Sequence, residues 1–159
     1  MNLITAVQAL VDAQVEFVII GGWSAVLHGS SYITNDLDVC FSRRPDNLRR
    51  LVSALAPFHP RLRDVPRDLP FIWDEAVLRN ATILTLTTDV GAIDLLAEVK
   101  GLGGFDQVKE SSVPVRAFDR DVWTLDLPSL IRAKRASGRE KDLRILPELE
   151  GLMEAEEPE

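Results

Sequence analysis

Two carboxylates at alternate positions of a short strand constrain this chain more than any other feature. Asp36 and Asp38 alternate with Leu37 and Val39, which is the pattern of a half-buried strand. Successive side chains of a strand point to opposite faces, so both carboxylates share one face, roughly 6.6 Å apart along the strand. A folded sheet must therefore accommodate two neighbouring negative charges beside its core.

A third acid lies in a separate apolar run. Asp94 interrupts residues 93–96, which are otherwise apolar, and an aspartate in such a run needs a partner or a function. Three acids on one sheet face do not all stay ionised without a compensating cation. Hard divalent ions prefer oxygen ligands, so we predict Mg²⁺, with Mn²⁺ as an alternative, bound by Asp36, Asp38 and Asp94. A solvated sheet face is the simpler alternative.

A glycine pair precedes these acids. Gly21 and Gly22 close the apolar strand 17–20, fourteen residues before Asp36. Such a turn lets the backbone approach a phosphate, and the N-terminus of the following helix favours an anion, with Ser24 as a further donor. The residues match neither a dinucleotide-binding nor a P-loop motif. We therefore expect Gly21, Gly22 and Ser24 to bind nucleotide phosphates, the alternative being a plain strand-to-helix turn.

Basic residues cluster near the C-terminus, with six of them in residues 132–144. Lys134 follows Leu130 and Ile131 at helical spacing, so its stem can lie beside an apolar face and its amine can reach a triphosphate. Arg135 and its basic neighbours fit a solvated helix face paired with acids equally well.

Composition limits the function classes. The 159 residues are 46% hydrophobic, which predicts one packed domain over residues 1–150, and the acidic end, residues 151–159, is expected to fray. The net charge of −7 argues against broad nucleic-acid binding. There is no apolar run of membrane-spanning length and no secretory signal pattern, and Cys40 is the only cysteine, so we expect a cytoplasmic protein.

The order of elements predicts an α+β (mixed α/β) fold. Helical spacing covers residues 3–14, strands follow at 17–20 and 36–41, and a helix begins at Pro45. Four prolines make residues 57–73 an irregular excursion. Two antiparallel pairs, a glycine-marked loop at 101–104 and C-terminal helices complete a mixed β-sheet flanked by helices.

These motifs together resemble a known superfamily. The glycine pair, the Asp36-Leu37-Asp38 motif and Asp94 within its apolar run are similar to the signature of the DNA polymerase β-like nucleotidyltransferases. The resemblance extends to the small bacterial branch related to the AbiEii toxins, and it covers roughly residues 15–145. It also includes three runs: Gly22-Trp23-Ser24-Ala25, Thr34-Asn35-Asp36-Leu37-Asp38 and Leu130-Ile131-Arg132-Ala133-Lys134-Arg135.

The resemblance implies a minimal nucleotidyltransferase fold with Mg²⁺ on Asp36, Asp38 and Asp94, which would be the catalytic residues. The nucleotide would be held by Gly21, Gly22, Ser24 and, from the basic cluster, Lys134. One position departs from the branch, since Tyr32 stands where its members often carry arginine.

Two functions follow from these observations. The first is an enzyme that moves a nucleoside monophosphate from a triphosphate to a hydroxyl of a small molecule, a protein or an RNA end, with release of pyrophosphate. The second, favoured by Tyr32, is a low-turnover nucleotide-binding regulatory or toxin–antitoxin-type interaction module with a protein partner.

Overall fold

Short apolar strands assemble into a seven-stranded mixed sheet in the computed structural model, which describes residues 2–156. A second sheet of two short strands lies beside it. The strands are β1 (Phe17–Ile20), β2 (Asp36–Phe41), β3 (Arg61–Leu62), β4 (Ile83–Thr88), β5 (Gly91–Leu96), β6 (Glu98–Val99), β7 (Gly103–Gly104), β8 (Ser112–Ala117) and β9 (Arg120–Leu125). The strand order in the large sheet is β3-β4-β5-β2-β1-β9-β8, and β6 pairs with β7.

Helices cover both faces of the large sheet. They are α1 (Leu3–Asp12), α2 (Gly21–Leu27), α3 (Pro45–Leu55), α4 (Glu75–Asn80), α5 (Phe105–Glu110), α6 (Leu127–Ser137) and α7 (Glu140–Glu156), with a single 3-10 turn at Ala56–Phe58. None of these helices is long and apolar enough to cross a membrane. Pro45 begins α3 at a position where its missing N–H costs nothing.

Each face of the sheet has its own apolar core. Leu37 and Val39 of β2 pack with residues of α1 and α3. Cys40, on the opposite face of β2, packs with residues of α5, α6 and α7. Asp36 and Asp38 alternate with Leu37 and Val39, so they share the face of Cys40, at its open edge.

The structure confirms the predicted α+β class, with a mixed sheet between helices. The short elements α5, β3, β6 and β7 were not predicted. In α5 only Val108 is buried, so its sequence carries no helical period. Helix α7 continues through Glu156, and the fraying of residues 151–159 stays a prediction; residues 157–159 lie outside the described residues.

Candidate active site

Strand register brings the predicted acids together on one face. Strands β2 and β5 are parallel neighbours, and Asp38 lies directly opposite Asp94. Parallel partners in register point to the same side of the sheet. Asp36 lies two residues before Asp38 on β2, opposite Ala92. Asp36 and Asp38 therefore share one face, as the alternation predicted, and the pairing of β2 with β5 adds Asp94 to that face.

The glycine pair makes room for this acidic face. Gly21 has φ +65°, and a Cβ added there would overlap the Oδ2 atom of Asp38. A Cβ on Gly22 would lie 2.8 Å from Thr34 Oγ1 and 3.1 Å from Tyr32 Cε1. Both positions thus allow close approach: Gly21 to the Asp38 carboxylate, and Gly22 to the segment that leads into β2.

The carboxylate of Asp38 is poorly compensated. Burial, with the nearby charges of Asp94 and Asp36, raises the pKa of Asp38 to about 7, and Lys134 opposes that rise. Within residues 2–156, the buried oxygens Asp38 Oδ1 and Asp94 Oδ1 have no hydrogen-bond partner. Buried acceptors without donors are unfavourable, so this pair is suited to a cation.

A guanidinium that sequence reasoning missed enters this site. Arg63 Nη2 lies 2.8 Å from Asp94 Oδ1, and Arg63 Nη1 lies 3.9 Å from Asp36 Oδ2. The 2.8 Å contact between Arg63 Nη2 and Asp94 Oδ1 is an ion pair whose angles do not make a hydrogen bond. Asp94 Oδ1 is therefore close to a cation and still has no hydrogen-bond donor. Arg63 follows the two-residue strand β3 in the proline-rich excursion, where no local pattern marks it.

Lys134 is held at the site by a buried acid. Its amine lies 3.1 Å from Asp142 Oδ1, and its side chain is only 14% exposed. Burial alone would raise the pKa of Asp142, but hydrogen bonds from Ser137, Arg139 and Lys134 outweigh burial and lower that pKa to about 2. Asp142 therefore stays ionised and fixes Lys134 beside the acids. Arg135, by contrast, is mostly exposed and pairs with Glu150.

Two cavities adjoin the acidic face. One, of about 190 Å³, is lined by Asp36 and Asp38, the loop that carries Tyr32, and basic side chains of α6 and α7. The other, of about 180 Å³, contacts Asp38 and Asp94 on one side and apolar residues, including Leu96 and Leu130, on the other. Asp38 and Lys134 line both cavities. A polar and a half-apolar compartment thus meet at the same carboxylate.

Ser24 lies in the protein interior, whereas the other predicted site residues lie at the cavities. It is fully buried, and its Oγ accepts a 2.6 Å hydrogen bond from Thr124 Oγ1. Its role in phosphate binding stays a prediction, and this burial does not support it. Gly21, Gly22 and Lys134 all line one or both cavities.

The acidic face fits a metal ion by its donor chemistry. Carboxylate oxygens are the ligands that Mg²⁺ prefers, and two of them are unpartnered here. Among the described residues, no three His, Cys, Asp or Glu side chains form a ready-made metal cage. Arg63 stands between Asp36 and Asp94 in this arrangement.

The comparisons with known proteins bear on the fold. No protein-family model matches the chain, and no curated protein matches it. Among solved structures, the chain shares its fold with a nucleotide-transferring enzyme. That structure is the lincosamide antibiotic adenylyltransferase LnuA in its lincomycin-bound form, with a TM-score of 0.61 and 15% sequence identity.

The match extends over 94% of this chain and 95% of that chain. At this identity the likeness shows the fold alone. It agrees with the mixed sheet and flanking helices that the sequence predicted for a nucleotidyltransferase fold.

Proposed function

We propose that this protein is a Mg²⁺-dependent nucleotidyltransferase of the DNA polymerase β-like superfamily. It would move a nucleoside monophosphate from a triphosphate to a hydroxyl acceptor and release pyrophosphate. The observation that carries this proposal is the in-register pair Asp38 and Asp94, with unpartnered oxygens, beside the cavity lined by Lys134. Membership of the AbiEii-like branch stays a prediction.

The residues divide into two groups in this proposal. Asp36, Asp38 and Asp94 would hold the metal, which when bound neutralises charge on the triphosphate and the attacking oxygen. Lys134, fixed by Asp142, would meet the phosphates as a point charge. Gly21 and Gly22 would let phosphates approach the backbone.

The proposed reaction exchanges one phosphorus–oxygen bond for another. The acceptor hydroxyl oxygen forms a bond to the α-phosphorus, and the bond from that phosphorus to the bridging oxygen breaks. Pyrophosphate leaves with the bonding electrons, and the hydroxyl proton passes to a carboxylate oxygen of Asp94. Phosphoryl-type transfer depends mainly on positioning and charge neutralisation, which this set of side chains is suited to provide.

A transfer assay tests this proposal. Pyrophosphate release is measured with Mg²⁺, each nucleoside triphosphate and a panel of hydroxyl acceptors. We expect Asp38→Asn to lose at least about a hundredfold in rate, because the variant removes an anionic ligand from the charge-neutralising site. Asp106→Asn, an exposed change of the same chemistry on α5, is the matched control. Transfer at the wild-type rate by a folded Asp38→Asn protein would refute the assignment.

The second candidate function is the low-turnover nucleotide-binding regulatory or toxin–antitoxin-type interaction module. The observation that favours it is Tyr32, which lines the polar cavity at the position where the resembling branch often carries arginine. Calorimetry with Mg²⁺ and triphosphate separates the two functions. Tight binding without pyrophosphate release for any acceptor would support the module.

A further inference from the structure

Arg63 is placed at the acids by the sheet itself. In the antiparallel pair of β3 and β4, Leu62 lies opposite Leu86, so the next residue falls opposite Thr85. The backbone N–H of Arg63 donates a 3.0 Å hydrogen bond to the Thr85 carbonyl. Thr85 in turn pairs with Asp94. Arg63 thus belongs to the same row of the sheet as Asp94 and Asp38.

The guanidinium is close to the acids but not hydrogen-bonded to them. Its contacts are 2.8 Å to Asp94 and 3.9 Å to Asp36, while Nη2 donates its aligned 2.7 Å hydrogen bond to the Leu86 carbonyl. Arg63 Nε is buried and has no partner among residues 2–156. A charge pair that lacks aligned hydrogen bonds is held weakly. Such a cation can be exchanged for a smaller one that the carboxylates bind directly.

Other charges near the acids do not replace this contact. Lys134 acts on Asp38 from α6, but its amine is engaged by Asp142. Within residues 2–156, Arg63 is therefore the cation that contacts both Asp36 and Asp94, and its side chain is 23% exposed.

We propose that Arg63 is an internal counter-ion of the acid set and lowers the site's affinity for divalent metal, which must compete with its guanidinium. This inference rests on the proposed function, because it assumes that Asp36, Asp38 and Asp94 bind a divalent ion. A purely structural role, in which Arg63 only joins β3 to β4 through Thr85 and Leu86, makes a different prediction. It would change stability and leave metal affinity unaltered.

Manganese binding distinguishes these roles. Free Mn²⁺ is titrated by electron paramagnetic resonance against the metal-free full chain, without nucleotide. We expect Arg63→Gln to bind Mn²⁺ at least about tenfold more tightly than wild type, since the competing charge is gone while a polar side chain remains. Arg61→Gln, an exposed change on the same strand, should bind like wild type. Arg63→Lys, a second variant that keeps the charge, should have a Mn²⁺ affinity between those of wild type and Arg63→Gln.

Each outcome has a separate meaning. Equal and measurable Mn²⁺ binding by wild type, Arg63→Gln and Arg63→Lys would overturn this inference and leave the proposed metal site standing. Weaker binding by Arg63→Gln in a protein that unfolds like wild type would also overturn it, because Arg63 would then organise the acids for metal. Absence of binding in every protein would refute the metal site of the proposed function, and this inference with it.

Discussion

Two aspartates of this chain, the buried Asp142 and the half-buried Asp38, lie in opposite electrostatic environments. Asp142 has hydrogen-bond donors from Ser137, Arg139 and Lys134, and its pKa falls to about 2 in spite of burial. Asp38 is half-buried beside Asp94, and its pKa rises to about 7. The difference lies in the partners. Asp142 is already neutralised by this chain, whereas Asp38 lacks a sufficient cation of its own.

The raised pKa of Asp38 predicts a pH-dependent stability. Between about pH 4 and pH 7 the folded metal-free protein keeps a proton that the unfolded chain has lost, so stability falls as pH rises through this window. We expect the free energy of unfolding in EDTA to fall by up to about 1.4 kcal/mol per pH unit there because of Asp38. Urea unfolding at a series of pH values from 4 to 8 measures this change in the free energy of unfolding.

The matched comparison for this pH effect is Asp38→Asn. This variant should show a flatter profile than wild type across the window, while Glu110→Gln, an exposed change at the end of α5, should follow wild type. Asp142 contributes in the opposite sense and at lower pH, because its lowered pKa adds stability that is lost as pH falls toward 2. Parallel profiles for wild type and Asp38→Asn would contradict the assigned environment of Asp38.

At the residue scale, sequence prediction succeeded where side-chain alternation decides orientation. The period of two along β2 placed Asp36 and Asp38 on one face, and Asp94, singled out as an isolated acid in an apolar run, lies in register with Asp38. It could not find Arg63, because its position depends on the pairing of β3 with β4, and β3 has two residues without a repeat. Nor could it show that Ser24 bonds to Thr124, one hundred residues away.

At the element scale, the turn from β1 into α2 links the strand to the acids. Gly21 begins α2 with φ +65°, and Asp38 fills the space that a side chain on Gly21 would need. Gly138, the C-cap of α6, has nearly the same φ, +67°, but a Cβ there would meet only ordinary contact with the Arg135 carbonyl at 3.7 Å. These two glycines share a backbone conformation and differ in surroundings.

Alanine at each glycine separates these two contributions. Gly138→Ala should cost about 1–2 kcal/mol of unfolding free energy, which is the price of a left-handed backbone alone. Gly21→Ala should cost more, because it adds overlap with Asp38, and it should also weaken Mn²⁺ binding. Urea unfolding and manganese titration measure both effects. Equal stability losses with unchanged Mn²⁺ affinity would show that Gly21 serves the turn only.

Element prediction from the sequence was good where a period was long enough to detect. Helix α3 and the hairpin of β4 and β5 have clear helical or alternating patterns, and the structure contains them. The parallel pairing of β2 with β5 joins segments about fifty residues apart, and no local pattern specifies it. The short elements β3 and α5 have two and six residues, too few for a period to be detected.

At the scale of the whole molecule, an acidic protein places basic and acidic side chains together at one site. The net charge is −7, and three basic side chains line the polar cavity together with three acids: Lys134, Arg139, Lys141, Asp36, Asp38 and Asp142. If metal neutralises the acids, the basic side chains suit a small polyanion such as a triphosphate, whereas the overall charge disfavours a long nucleic acid. The likeness to a solved adenylyltransferase structure over 94% of this chain concerns the fold.

We propose that Asp36, Asp38 and Asp94 bind shared divalent ions beside a triphosphate. The most direct measurement is an anomalous-difference map from crystals soaked with Mn²⁺ and a nonhydrolysable nucleoside triphosphate. We expect manganese peaks within ligand distance of Asp38 and Asp94 oxygens, with phosphates next to Lys134. A bound triphosphate whose manganese lies away from all three aspartates would contradict it.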